Sequence, residues 1–256
     1  MRTTTRRLAL AGVGAALLLP AGIGSALAAD GDTNANLAPV ALNGVPASGT
    51  AMASVRGTTL TVTMAANGLL ADAPHAAHIH FGAEARNECP AASDDASGDG
   101  TLNTSEGVPA YGGIVVSLTK TGDTSPASGL AVDRYDTAPG GAIAYQRGSI
   151  EVAPEVAQAI VDGKSVVVIH GVDHDGNGTY SGSTPSDLDP SLPTEATDPA
   201  LCGVLAAAPS GSVAAGAGGT AVGAGAQDGL MLLGGGLLAA GVGAAGLVAR
   251  RARASA

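Results

Sequence analysis

All five histidines of this 256-residue chain fall in two short runs, Pro74-His75-Ala76-Ala77-His78-Ile79-His80 and Ile169-His170-Gly171-Val172-Asp173-His174. Imidazole nitrogens gathered from separate segments make a donor set suited to copper or zinc. Side chains on a strand alternate faces with period two, so His78 and His80 point the same way while Ile79 enters the opposite layer. His170 closes the aliphatic run Val166-Val167-Val168-Ile169, where its ring can face a partner from another strand. His78, His80 and His170 are the candidate transition-metal ligands, with His75 and His174 as further candidates. A hydrogen-bonded structural cluster is the alternative.

Oxygen chemistry is written in two aspartate-rich runs. From Asp95 to Glu106 the spacing is that of a twelve-residue calcium loop: Asp95, Ser97, Asp99, the Thr101 carbonyl, Asn103 (through water) and Glu106 supply oxygens, and Gly100 permits the sharp turn. Ser97 stands where an Asp or Asn is usual, which weakens the site. No helix is expected on either side. The second run opens similarly with Asp173, Asp175 and Asn177, but Thr184 occupies its twelfth position. Asp187 or Asp189 is a possible substitute carboxylate there, and an Asx-rich turn is the default.

Short strands must carry these groups. Apolar runs at 40–42, 49–55, 58–65, 75–81, 113–119, 142–151, 165–170 and 201–206, separated by Gly-rich turns, predict an all-β sandwich or barrel. Arg56-Gly57 predicts a hairpin, and 154–162 is the single helical candidate, with Pro154 early and Gly163 just past its end. The core must be aliphatic, since the chain has no tryptophan and Phe81 is its one phenylalanine.

The two ends read differently. Residues 1–28 resemble a secretory signal, with Arg2, Arg6 and Arg7, an apolar stretch and Ala26-Leu27-Ala28 as cleavage site. The β domain is placed at 38–206 and an Ala/Gly-rich flexible linker at 207–228. Residues 229–249 are uncharged, about 31 Å as a helix, and predict a transmembrane anchor; Arg250, Arg251 and Arg253 make 250–256 a basic cytoplasmic tail. A partly processed apolar tail is the rival. The expected location is the extracellular face of the cell membrane, with the membrane as a partner through the C-terminal helix.

The chain carries a formal net charge of −10, but residues 30–209 hold 21 acidic and six basic residues, a net of −15. Such a domain excludes nucleic acid as a partner, because phosphate recognition needs clustered Lys and Arg. It favours metal ions. Two cysteines, Cys89 and Cys202, and no third suggest one disulfide in an exported chain; two free thiols are the alternative.

His78-Ile79-His80, Cys89, Val168-Ile169-His170 and Leu201-Cys202-Gly203-Val204 occur in the order seen in copper/zinc superoxide dismutases, which the chain resembles over 40–206. The leading hairpin and the H-x-H strand also resemble the CHRD domain, a secreted module. The resemblance implies a Greek-key β-barrel or sandwich of about eight strands, copper at the H-x-H pair and the later histidine, and a disulfide from Cys89 to Cys202. Departures qualify it. Between Phe81 and Ile169 there is no histidine to bridge copper and zinc, the calcium-type loop stands where the zinc loop should be, and Pro199 occupies the position of the guiding arginine. Zinc at the family site is therefore not expected.

The function expected is a membrane-tethered, extracellular metal-binding module with a His-rich copper-type site and a calcium-type loop, with weak or no dismutase activity. Two alternatives stand beside it. One is a copper-only superoxide dismutase-like enzyme protecting the cell surface; the other is a non-catalytic CHRD-like structural module.

Overall fold

The computed structural model describes residues 29–207. The strands are β1 (Ala29–Pro39), β2 (Ser48–Gly57), β3 (Thr59–Asn67), β4 (Pro74–His75), β5 (Ala77–Phe81), β6 (Gly113–Ser117), β7 (Asp136–Thr137), β8 (Ala142–Glu151), β9 (Val166–His170), β10 (Pro199–Val204) and β11 (Ala206–Ala207). Three α-helices, α1 (Thr104–Tyr111), α2 (Pro154–Val161) and α3 (Thr194–Thr197), sit in the connections among the described residues.

Eight strands form one curled antiparallel sheet in the order β6-β5-β9-β10-β1-β2-β3-β8, with β11 added to β1; β4 and β7 pair separately. Strand β1 makes the curl possible. Its residues from Ala29 to Leu37 pair with β2, and Ala38 and Pro39 then pair with β10. Alternation sets the inner face. Ala51, Ala53 and Val55 of β2 and Leu60, Val62, Met64 and Ala66 of β3 are buried, while Met52 between them is 60% exposed. At the hairpin, Gly57 takes a left-handed φ of 65°, as the turn requires. Helix α2 starts with Pro154 in its first turn and lays Val156, Ala157 and Ile160 into the core, and Gly31 of β1 makes room for its Val161.

Strand β9 is buried on both faces, which fixes the layer of the functional groups. Val167 and Ile169 face the main core, with Ala77 and Ile79 of β5. Val166 and Val168 face a second, smaller cluster with Val40, Leu102, Tyr111 and Cys202. By period two, His170, His78 and His80 share that second face, roofed by loops and not by the main core. Cys89 and Cys202 are joined by a disulfide across 113 residues, with Cα atoms 5.7 Å apart, pinning the loop after β5 to β10.

Several expectations are corrected here. The closed barrel or two-sheet sandwich is instead a half-barrel: edge strands β6 and β8 do not pair with each other among the described residues. Side chains span the gap. Tyr145 and Arg147 of β8 donate to the Thr119 carbonyl at 3.3 and 2.7 Å, in place of a backbone ladder. Among the described residues no helix is long and apolar enough to cross a membrane. The longest have eight residues, where a span needs about 20. The transmembrane helix expected at 229–249 lies outside the described residues, as do the signal at 1–28, nearly all of the linker and the tail at 250–256. The membrane tether, the membrane as partner and the cell-surface location have no support in this fold and are set aside. The acidic loop from Asp95 is also followed directly by a helix, α1, which was not expected.

Candidate metal centre

Antiparallel pairing of β5 and β9 sets His78 opposite Val168 and His80 opposite Val166. His170 lies two residues beyond Val168 on the same face, and its backbone N–H donates to the Ala76 carbonyl at 2.8 Å. The three rings are buried together, with centroids 5.0 Å (His78–His170), 5.5 Å (His78–His80) and 6.0 Å (His80–His170) apart. One ring nitrogen from each lies within 4.8 Å of the others.

Their hydrogen bonds orient them. His80 Nδ1 lies 3.0 Å from the Gly112 carbonyl and His170 Nδ1 lies 2.6 Å from that of Thr197. Each of these nitrogens carries the proton, since a carbonyl can only accept. His78 Nε2 lies 3.0 Å from the Gly129 carbonyl and 2.9 Å from the Tyr135 hydroxyl, which itself donates to the Ser128 carbonyl at 2.8 Å. The remaining nitrogens, His78 Nδ1, His80 Nε2 and His170 Nε2, are buried without a hydrogen-bond partner. Three buried lone pairs converge with no donor to share, and each unsatisfied polar group of this kind costs about 1–3 kcal/mol. Such a set is matched by a cation, and an outer N–H bonded to backbone is what holds a metal-ligating imidazole in its tautomer. Burial pushes His80 down to about 3 and His170 down to about 4, and holds His78 well below the ordinary histidine value, so all three are neutral donors at neutral pH.

Tyr111 packs over His80 with centroids 4.5 Å apart and donates to the Thr104 carbonyl at 2.7 Å. The other two histidines lie elsewhere. His75, on β4, places Nδ1 2.8 Å from the His170 carbonyl and Nε2 3.1 Å from the Leu70 carbonyl, under the Tyr180 hydroxyl. It buttresses the backbone of His170 and does not join the cluster. His174 turns away and pairs with the buried Asp198 at 2.9 Å.

The acidic groups gather separately. Asp173, Asp175 and Glu195 bring carboxylate oxygens within 4.8 Å of one another. Glu195 is only 4% exposed and accepts from the backbone N–H groups of His174 and Ser181 at 2.9 and 2.6 Å. The substitute carboxylates considered from sequence are not part of this triad: Asp187 accepts from Ser105 N–H and Asp189 from Ser191 N–H. Glu195 was missed because it lies twenty residues beyond Asp175, and no loop spacing points to it.

The two acidic loops share one turn geometry. Gly100 N–H donates to Asp95 and Gly178 N–H to Asp173. Thr101 donates from backbone and hydroxyl to Asp99, as Thr179 does to Asn177. In the first loop, Glu106 accepts from the N–H groups of Ser97 and Asn103 and forms a capping box with Asn103 at the start of α1. Asp99, Thr101 and Asn103 face Asp175, Asp187 and Glu195 across one open cavity. Thus a buried three-histidine cluster and a separate acidic triad are present, each able to coordinate a metal ion. No protein-family model matches this chain and no curated protein matches it, so the donor geometry itself carries the functional reading.

Proposed function

We propose that the domain is a metal-binding β-sheet module whose transition-metal ligands are His78, His80 and His170 and whose metal is copper. The supporting observation is the convergence of three buried, unpartnered imidazole nitrogens whose opposite nitrogens are fixed by backbone carbonyls. Three neutral nitrogens with no carboxylate among them suit a singly charged ion best. The desolvation cost of a buried ion grows with the square of its charge, so cuprous copper costs about a quarter of what a divalent ion would. Bound copper supplies a centre that cycles between two oxidation states. The chain supplies the rigid donors, the apolar surroundings and the exclusion of bulk water. The order of the motifs resembles the superoxide dismutases, yet Pro199 stands at the position of that family's guiding arginine, so efficient dismutation is not part of this reading.

For the acidic loops the reading is calcium. Asp173, Asp175, Asn177 and Glu195 form one set, and Asp95, Ser97, Asp99, Thr101, Asn103 and Glu106 the other. A hard cation takes six to eight oxygens; both loops share one turn, and in the second Asp173, Asp175 and Glu195 bring carboxylate oxygens within 4.8 Å of one another.

The test is elemental analysis of the full chain, produced in an oxidising compartment and equilibrated with limiting copper and zinc. About one copper per chain, lost in the His78→Ala/His80→Ala double variant with an unchanged circular dichroism spectrum, is the expected result. A protein that takes up no transition metal would overturn the copper reading and leave a structural module.

A further inference from the structure

The unpartnered nitrogens of the histidine cluster do not open onto bulk water. The three histidines line a cavity of about 50 Å³ whose wall also includes Ile114, Leu130, Val132, Leu188 and Ala196. One water needs roughly 10–15 Å³ of such space, so the cavity has room for a molecule of about three to five heavy atoms at most. Its outer rim is unusual for a surface. Leu130, Val132 and Leu188 are 38, 39 and 42% exposed and are half of the exposed large hydrophobic residues among the described residues. They converge on this one small opening.

Charge points the same way. No Lys or Arg lines the cavity. The nearest arginine in sequence to the rim, Arg134, is tied back to the Ser128 hydroxyl at 2.7 Å and the Asp123 carbonyl at 3.2 Å. Asp187, beside Leu188, is close enough for its negative charge to bear on His170. An anion approaching this mouth meets an apolar collar and no compensating cation in the wall, and must shed its hydration without a partner. A neutral, weakly polar molecule has no such barrier.

We propose that the molecule admitted to the histidine centre through the mouth formed by Leu130, Val132 and Leu188 is small, neutral and weakly polar, of the dioxygen class, and that anions are excluded. This inference rests on the copper reading above and specifies what reaches that site.

The experiment uses the full chain loaded anaerobically with cuprous copper, its copper content measured on the same sample, and carbon monoxide as neutral probe. A single infrared C–O stretching band is expected, while excess azide leaves the electron paramagnetic resonance spectrum of the oxidised protein unchanged. Leu188→Lys, at an exposed position, is expected to keep its copper and to raise azide affinity by about tenfold by placing a cation at the mouth. Xenon provides a metal-free readout and is expected to shift the methyl resonances of Ile114, Leu130, Val132 and Leu188. Copper-loaded wild-type protein that binds azide as readily as carbon monoxide, or forms no carbonyl adduct, would overturn the inference, as would indifference to xenon. A sample without copper would instead overturn the metal reading, and this inference with it.

Discussion

His170 donates from Nδ1 to the backbone carbonyl of Thr197 across 2.6 Å, and Thr197 follows two residues after Glu195, the buried carboxylate of the acidic triad. The four residues of α3 thus hold one element of each candidate site. The sites nevertheless use different atoms of that helix: a backbone carbonyl for the histidine and a side-chain carboxylate for the loop.

Glu195→Gln separates the two. It removes a ligand charge but leaves the helix backbone in place. The variant is expected to lose most of the calcium-induced rise in melting temperature while still binding one copper per chain. Calorimetry with and without calcium, beside copper analysis, checks both halves; an undiminished calcium response excludes Glu195 as a ligand.

Glu106→Gln asks the same of the first loop. Glutamine can still serve in a capping box, so stability without calcium should change by less than about 0.5 kcal/mol. Calcium affinity should fall. A large loss of stability in chelator would show Glu106 acting as a helix cap alone.

Metal-free protein should weaken in mild acid. Burial holds His80 and His170 down to about 3 and about 4, and His78 well below its ordinary value, whereas in the unfolded chain all three titrate near 6.5. Below about pH 6.5 the unfolded chain binds protons that the folded chain does not, so stability is full above that pH and declines as pH falls toward 4. Each histidine adds about 1.4 kcal/mol per pH unit to the slope in that window. Urea unfolding at pH 7 and pH 5 measures it, with His80→Phe expected to remove about one third of the histidine contribution. An identical slope in that variant would sink the account.

Asn43 ties the second layer together. Its side chain donates to the Leu102 and Pro199 carbonyls at 2.8 and 2.9 Å and accepts from Leu102 N–H at 2.8 Å. Asn43→Ala strands three buried backbone groups and should cost about 2–4 kcal/mol. An unchanged urea midpoint would mean that water replaces the amide.

What the sequence revealed of the site followed from local pattern. The H-x-H pair, the aliphatic run into His170 and the two cysteines are legible because strand periodicity and ligand chemistry act over a few residues. The carbonyls of Gly112, Gly129 and Thr197, which orient the rings, leave no trace in residue type, since any residue offers a carbonyl. Strand β1 escaped because Asp30, Asp32, Asn34 and Asn36 alternate with small residues, a weak apolar signal that its two strand partners override. Helix α1 escaped because Gly107 and Pro109 lie inside it. Its capping box, Asn103 with Glu106 three residues on, was a usable sign of a helix start. Closure of the barrel and the membrane anchor were expectations the fold did not support.

Strand β1 also settles where the ends of the domain emerge. Thr33 pairs with Ala207, and β1 runs antiparallel to both β10 and β11, so residues 29 and 207 leave the same edge of the fold a few residues apart. A domain with neighbouring ends can be spliced into a loop of another protein, or permuted by a short linker across 207 and 29 and opened at the Gly57 turn, without redrawing its strand order. Pulled by those same ends, it would unzip one hydrogen bond at a time rather than resist in shear.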